Sequence, residues 1–337
     1  MHFHSINVFN HIYKLFLRCI FILIYFIFVS EKAIACDICG GSPQLGSNAI
    51  GFSHAINQPL IGIQYLHWGY QTKDRTSKNE VYTVLDQIQS LNFHYTQYIH
   101  TNWQIQANWG INQITRNNAY NEKGTQSLWG INDINGSLNY KFFDNRSNAF
   151  SKNKWIAFVG ITAKIPNGFY QVRDNEKRML PIQLQPGNGC YAIGMQTFIA
   201  WKTKNYGIAM QGRLNESFEN ELGYIPGLNG GLQTGIYYVV DKINTTKQKQ
   251  WKLIPQIGIK TDFNLEDEQF NQKITETQLN NQQIFSQIEF MGQKTYVNLF
   301  FSLPISHNNE SNNIVIQPMT RISIAYILRG KDKKTEN

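Results

Sequence analysis

Polar and apolar residues alternate with a period of two along much of this chain. The clearest stretch is 102–112, where one face carries Trp103, Ile105, Ala107, Trp109 and Ile111 and the other carries only Asn, Gln and Gly. Successive side chains of a β-strand point to opposite faces, so this alternation predicts a strand. Similar alternation recurs around 134–142, 206–214, 251–263 and 322–328.

The pattern predicts about twelve strands, at 60–70, 84–99, 103–116, 127–142, 154–166, 189–202, 205–217, 227–241, 251–264, 281–290, 294–305 and 315–328. Most of them exceed the ~5–6 residues usual in soluble proteins. They are long enough for the ~9–11 residues with which a tilted strand crosses a bilayer. We therefore predict an all-β fold, a transmembrane antiparallel up-and-down β-barrel that follows a cleaved signal peptide.

The connections between these strands alternate in length. The longer ones follow odd strands, at 71–83, 117–126, 167–188, 218–226, 265–280 and 306–314. Those after even strands lie at 100–102, 143–153, 203–204, 242–250 and 291–293, and three of the five are tight turns. Barrels of the outer membrane have long extracellular loops and short periplasmic turns. We therefore expect 71–83, 167–188 and 265–280 to be outer loops, and 100–102 and 203–204 to be inner turns.

The N-terminus has the layout of a secretory signal. Lys14 and Arg18 precede an apolar run over 19–29, and Ala33-Ile34-Ala35 follows. This order predicts cleavage near residue 35, which places the mature chain outside the cytoplasm. We expect a periplasmic segment over 36–58, one barrel domain over 59–328 and a polar tail over 329–337, in the outer membrane of a Gram-negative bacterium.

Composition supports a barrel and argues against a nucleic-acid partner. Charged residues make up only 16% of the chain, while the mean hydropathy is still −0.36 because Asn, Gln, Ser and Thr are abundant. Uncharged polar groups suit the inner face of a membrane barrel. The net charge of +8 is spread along the chain without a basic patch, so no nucleic-acid binding is expected.

Charged residues on the polar faces are the candidates for lining the lumen: Lys141, Lys164, Lys202, Arg213, Lys252, Lys260, Asp262, Glu289 and Arg321. Two interpretations stay open. Basic groups outnumber acidic ones, which fits a lumen that accepts anionic or polar-headed solutes. The same set also fits a network of paired charges and amides that fills a narrow barrel.

Tryptophans lie near the ends of the predicted strands, at Trp68, Trp103, Trp129, Trp155, Trp201 and Trp251. Membrane barrels carry such rings as aromatic girdles at both interfaces. The alternative is that tryptophans occur at strand ends in any β protein.

Motifs of soluble enzymes are absent from the sequence. It contains no phosphate-binding glycine loop, no H-E-x-x-H and no G-x-S-x-G. Asp133 and Asp262 are possible functional carboxylates, but no acid–base partner is evident beside either. We expect no enzymatic activity, no cofactor and no metal.

Cys36 and Cys39 form a Cys-x-x-Cys-Gly segment at the start of the mature chain. In the oxidising periplasm a disulfide is the default state for such a pair. Metal binding and lipidation of Cys36 as an anchor are the alternatives, although Ala33 fits a lipidation signal poorly.

Several short motifs resemble a known group of proteins. Cys-x-x-Cys-Gly, then 59–65, Gly130-Ile-Asn-Asp-Ile134, Lys164-Ile-Pro-Asn-Gly168 and Gln185-Pro-Gly-Asn-Gly189 resemble an outer-membrane group of Bacteroidetes and the transporter family of the MetA phenol-degradation pathway. Asn132 departs from that group's Gly-x-Gly-Asp signature. The resemblance covers most of 36–328 and implies an outer-membrane barrel of the transporter kind.

Two functional hypotheses follow. The first is passive passage of small molecules, apolar or aromatic ones among them, through a narrow porin-like barrel in contact with outer-membrane lipid. The second is a structural or assembly barrel with a filled lumen, whose Cys-x-x-Cys segment docks a periplasmic or outer-membrane protein partner.

Overall fold

The computed structural model describes residues 59–75, 81–118, 125–146, 151–170, 185–241, 252–274, 277–292, 294–308 and 314–328. Within these ranges the chain forms strands and no α-helix. The strands are β1 (Leu60–Arg75), β2 (Val81–Tyr98), β3 (Trp103–Asn118), β4 (Thr125–Ile131), β5 (Ile134–Asp144), β6 (Asn153–Ile165), β7 (Ala192–Thr203), β8 (Tyr206–Ser217), β9 (Tyr224–Ile225), β10 (Asn229–Tyr238), β11 (Val240–Asp241), β12 (Lys252–Asn264), β13 (Asp267–Gln269), β14 (Gln272–Ile274), β15 (Leu279–Met291), β16 (Thr295–Asn308), β17 (Ile314–Ile316) and β18 (Met319–Ile327). Among the residues described, no helix is long and apolar enough to span a membrane.

Twelve spanning strands form one closed antiparallel sheet. Each strand pairs with the next along the chain, in the order β1, β2, β3, β5, β6, β7, β8, β10, β12, β15, β16, β18. β18 then pairs back with β1, which closes the barrel and leaves no free sheet edge. The predicted fold class and the number of strands are confirmed.

Short strands complete three of the spanning strands. β4 continues β5 along β3, β11 continues β10 along β12, and β17 continues β18 along β1. We number the spanning strands one to twelve in chain order, so that β4 with β5 is the fourth, β15 the tenth and β17 with β18 the twelfth. A separate three-stranded sheet of β9, β13 and β14 belongs to the loops at one end of the barrel.

The two ends of the barrel differ in their connections. One end, the short-turn end, carries turns such as 99–102 and 204–205. The other, the long-loop end, carries 218–228 and the long connections between β6 and β7 and between β12 and β15. The predicted loop at 71–83 needs correction, because β1 runs to Arg75 and β2 begins at Val81. These two strands continue pairing as far as Arg75 with Val81, so the connection is only 76–80.

Burial in the barrel wall is the reverse of that in a soluble protein. In β3, Ile105 is 38% exposed while the neighbouring Gln104 is fully buried, and Trp109 and Ile111 are exposed while Asn112 is buried. Ile208 and Ile259 are likewise exposed on the outer face. An apolar exterior around a polar interior is the pattern of a barrel whose outer face contacts lipid. This closed barrel has the architecture of an outer-membrane protein of Gram-negative bacteria.

Candidate functional site

A cavity of about 220 Å³ lies in the lumen toward the long-loop end of the barrel. Its lining divides into two arcs of unlike chemistry. The apolar arc, on spanning strands one to three and twelve, consists of Leu66, Trp68, Tyr70, Ile88, Ile114 and Met319. Phe285 and Phe300 on strands ten and eleven pack behind it, with their rings stacked at 5.4 Å between centroids.

The charged arc lies on spanning strands four to nine. It includes Lys164, Arg213 and Lys260 together with two carboxylates, Asp133 and Asp262. The ammonium of Lys260 is 2.6 Å from a carboxylate oxygen of Asp262. The two carboxylates that had no evident partner in the sequence are therefore both in ion pairs, one with Lys260 and the other with Lys164.

A glycine leaves room for a third charge beside the Lys260 pair. Gly231 in β10 is the register partner of both Arg213 in β8 and Asp262 in β12, so it separates these two residues on one row of the sheet. A Cβ at Gly231 would lie 2.7 Å from an Asp262 carboxylate oxygen. Any side chain at 231 would therefore displace the carboxylate that faces the guanidinium of Arg213.

Asp133 holds a loop against the mouth of this cavity. It lies between β4 and β5, where the fourth spanning strand is interrupted, and its side chain is 1% exposed. One carboxylate oxygen accepts the Gly168 N–H at 3.0 Å, and the other is 3.4 Å from the Lys164 ammonium. Lys164 in turn donates to the side-chain oxygen of Asn188 at 2.6 Å. We call Asp133, Lys164, Gly168 and Asn188 the Asp133 latch.

Small residues let the latched loop approach closely. A Cβ on Gly187 would lie 2.7 Å from an Asp133 carboxylate oxygen and 2.8 Å from the Gly168 backbone, and one on Gly130 would lie 2.4 Å from the Pro186 ring. Three of the motifs that carry the family resemblance, around 130–134, 164–168 and 185–189, thus meet at one place. Their glycines are required by close packing between chain segments.

Side chains fill the lumen toward the short-turn end. Buried amides hydrogen-bond there: Gln196 donates to Asn139 across the strands, and Gln106 donates to Gln104 along β3 at 3.0 Å. A buried apolar cluster on spanning strands five to nine adds Ile156, Phe158, Phe198, Ala200, Ala209, Tyr237, Val239 and Ile254. The barrel thus has a cavity in one half and packed side chains in the other.

The remaining predicted lumen residues lie away from the cavity. Glu289 is fully buried and accepts a hydrogen bond from the Tyr296 hydroxyl at 2.8 Å, and the Arg321 guanidinium stacks on Phe300 at 4.4 Å from the ring centroid. Lys141 pairs with Asp144 at 3.2 Å. Near the short-turn end, Lys202 is half-buried and Lys252 is exposed at the rim.

The tryptophans divide between the two faces. Trp103, Trp129 and Trp155 are exposed on the outer face, and Trp201 is half-buried with its ring 6.0 Å from that of Trp155. Trp68 is a correction to the predicted girdle, since it is 7% exposed and packs inside the barrel. Trp68 lies on the same, inward-facing side of β1 as Leu66 and Tyr70. Its position near a strand end therefore does not place it on the lipid face. Trp251 lies outside the described residues.

The apolar arc was missed in the sequence, although a signal for it exists. From 60 to 70, β1 carries apolar residues on both faces, a near-continuous run instead of an alternation. Such a run is typical of a strand that is covered on both sides. Here lipid covers one face and the lumen cluster covers the other.

Cysteines and metal sites add no chemistry within the described residues. Cys190 is buried with its thiol directed at backbone carbonyls, and burial raises the pKa of this thiol to about 12, so it is an unreactive residue. No cluster of three metal-ligating side chains occurs in the described part of the chain. Cys36 and Cys39, together with the predicted signal peptide, lie outside the described residues.

Comparison with known proteins finds likenesses among solved structures. No family model matches the chain, and no curated protein matches it. Among solved structures, the COG4313 outer membrane channel from Pseudomonas putida F1 is similar, with a TM-score of 0.58 and 11% identity over 81% of this chain and 96% of that one. The translocator domain of the autotransporter NalP from Neisseria meningitidis gives a TM-score of 0.42 at 10% identity over 85% and 94%. The P. putida toluene transporter TodX gives 0.35 at 10% identity over 85% and 94%.

Proposed function

We propose that this chain is a non-enzymatic outer-membrane barrel that lets small molecules cross and holds one of them in the cavity of its lumen. The observation that carries the proposal is the cavity itself, which lies within a closed barrel and has an apolar arc facing a charged arc. One solved barrel to which the chain is similar is described as an outer membrane channel, which agrees with this proposal.

The size and the apolar arc of the cavity indicate the kind of solute. Engineered apolar cavities of ~150 Å³ in another protein hold one benzene molecule. A cavity of about 220 Å³ therefore suits a solute of one six-membered ring. Trp68, Ile88 and Met319 offer such a ring a surface for van der Waals contact, which supports passage of solutes with an aromatic or apolar face.

The short motifs around the Asp133 latch support a relation to the Bacteroidetes group and the MetA-pathway transporter family that they resemble. Three of these motifs build one structural unit at the mouth of the cavity. We infer that the latch defines which solutes enter from the long-loop end.

A second candidate function is favoured by the packed half of the barrel. If the amides and apolar side chains toward the short-turn end never separate, the lumen is sealed and the barrel has a structural or assembly role. In that case the Cys36-x-x-Cys39 segment would dock a periplasmic or outer-membrane protein.

Flux through liposomes distinguishes the two candidates. Purified full-length protein is reconstituted, and uptake is measured for a series of uncharged solutes from one ring to three rings. The first proposal expects one-ring solutes to enter well above the rate of protein-free liposomes and three-ring solutes to be excluded. Liposomes that stay sealed to every solute, while the barrel keeps its heat-modifiable migration, would support the second candidate.

A further inference from the structure

Two buried amides of the cavity have side-chain oxygens without a hydrogen-bond partner. Asn132 is 6% exposed and Asn281 is 3% exposed, and both line the cavity. The Oδ1 atom of each accepts no hydrogen bond among the described residues. Asn132 is otherwise held in place, since its Nδ2 donates to Asn92 at 2.9 Å. Buried acceptors of this kind carry a penalty unless a donor reaches them.

The closed barrel places these two acceptors on opposite sides of the lumen. Asn132 belongs to the fourth spanning strand, at the break between β4 and β5, and Asn281 to the tenth, β15. In a ring of twelve strands, the fourth and the tenth are six strands apart in either direction. Both positions lie toward the long-loop end. Each of the two facing walls that enclose the cavity therefore carries a buried acceptor without a donor.

The rest of the lining has the same chemical character. Asn and Gln supply thirteen of the cavity-lining residues, and Ser90, Thr162 and Ser217 add hydroxyls. An amide both donates and accepts, so it complements a hydroxyl group whichever way the hydroxyl turns. A purely apolar ring would leave the Oδ1 atoms of Asn132 and Asn281 without a donor, and one hydroxyl cannot reach two facing walls.

We propose that the preferred solute is a cyclic polyol of monosaccharide size. Its C–H face packs on the arc of Trp68 and Ile88, and hydroxyls on opposite edges of its ring donate to Asn132 and Asn281. This inference rests on the proposed passage function and makes its solute class specific. It also accounts for an amide-rich lumen beside an aromatic surface, because a sugar ring has both hydroxyl edges and an apolar face.

The test is saturable uptake by liposomes that contain the full-length protein. D-glucose and myo-inositol are compared with benzyl alcohol, a ring with one hydroxyl, and with sorbitol, an open-chain polyol. We expect uptake of glucose or inositol to saturate, and each of Asn132→Leu and Asn281→Leu to raise the half-saturation concentration about fivefold, as for one lost hydrogen bond. Gln282→Leu, next to Asn281 but on the outer face, should leave it unchanged.

The outcomes separate this inference from the function on which it rests. If benzyl alcohol crosses but glucose and inositol neither saturate nor compete, the two acceptors are met by water only and the inference is overturned, while the passage function stands. If glucose uptake saturates but neither asparagine variant changes it, the assignment to Asn132 and Asn281 is overturned. If no solute crosses, the passage function itself fails. Where a leucine variant does not assemble, as judged by heat-modifiable migration, Asn132→Ala or Asn281→Ala replaces it.

Discussion

Replacing Asp133 by Ala should release the loop that is latched over the cavity mouth. The carboxylate is almost fully buried, and it pairs with Lys164, whose side chain is 10% exposed. Removing one partner of a buried ion pair costs about 3–5 kcal/mol, because the remaining charge stays buried without compensation. The Gly168 N–H also loses its acceptor, which adds about 1–3 kcal/mol if no water replaces it.

This loss of stability should affect the latched loop rather than the whole barrel. The barrel wall is held by ladders on every strand. The segments 166–170 and 185–190 are held by the latch and by a few further hydrogen bonds, among them those from the Phe169 N–H to the Ile131 carbonyl, from the Gly187 N–H to the Phe169 carbonyl and from the Asn220 amide to the Asn188 carbonyl. The cheapest response is therefore detachment of these segments, which lets water reach Lys164.

Amide hydrogen exchange in detergent micelles measures this release. In Asp133→Ala, the amides of Gly168, Gly187 and Asn188 should exchange at least a hundredfold faster, since each 1.4 kcal/mol is a factor of ten. The amides of β12, on the far side of the lumen, serve as the internal control. Asp133→Asn keeps an acceptor oxygen for Gly168 but loses the charge, so its effect should be intermediate.

A double variant checks the electrostatic part of the reasoning. Asp133→Leu with Lys164→Met removes both charges, and apolar replacement of a whole buried pair is often neutral. It should therefore be less destabilised than Asp133→Leu alone in urea unfolding. If Asp133→Ala exchanges at the wild-type rate at Gly168, or if the double variant is no better than the single one, the latch does not hold the loop.

Three further predictions concern the wall, the orientation and the N-terminus. Ile259→Arg should destabilise the barrel by about 2–4 kcal/mol if it lies near the bilayer midplane, as measured by urea unfolding in lipid against Ile259→Leu, and an Arg variant as stable as the Leu variant would contradict the lipid-facing assignment. Single cysteines in 269–273, which is exposed at the long-loop end, should be labelled on intact cells and those at 203–204 should not, while the opposite result would invert the topology. Changing Cys36 and Cys39 to Ser should leave heat-resistant migration unchanged, because a disulfide across two residues restricts little unfolded-chain entropy; loss of the barrel would make the segment structural.

The alternation of polar and apolar residues with a period of two was enough to predict most of the strands and their faces. In β3 each polar residue from Gln104 to Asn112 faces inward and each apolar one faces outward, so face and strand could be read together. The alternation of loop lengths then indicated a barrel rather than a soluble sandwich. The sequence pattern overestimated the length of the connection around 76–80. Polar residues at the ends of β1 and β2 resemble a loop in the sequence, although they still pair as strands.

The site was less accessible from the sequence, for a physical reason. Asp133 and Lys164 are 31 residues apart, and their contact depends on the register between β5 and β6 and on the break between β4 and β5. Neither feature leaves a periodic signal. Trp68 shows the same limit, since a position near a strand end does not reveal which face a ring occupies when both faces of the strand are apolar.

The most direct test is to fill the cavity with a large side chain on one strand. This variant is compared with one in which the same side chain is placed on the outer face of that strand. Thr162 in β6 lines the cavity, whereas the adjacent Ile161 is 62% exposed on the outer face. Flux of a one-ring solute is measured in liposomes that contain Thr162→Trp or Ile161→Trp, each checked for heat-modifiable migration. We predict that Thr162→Trp loses most of the wild-type flux and that Ile161→Trp retains it. Equal flux through the two variants would contradict the claim that solutes pass through this cavity.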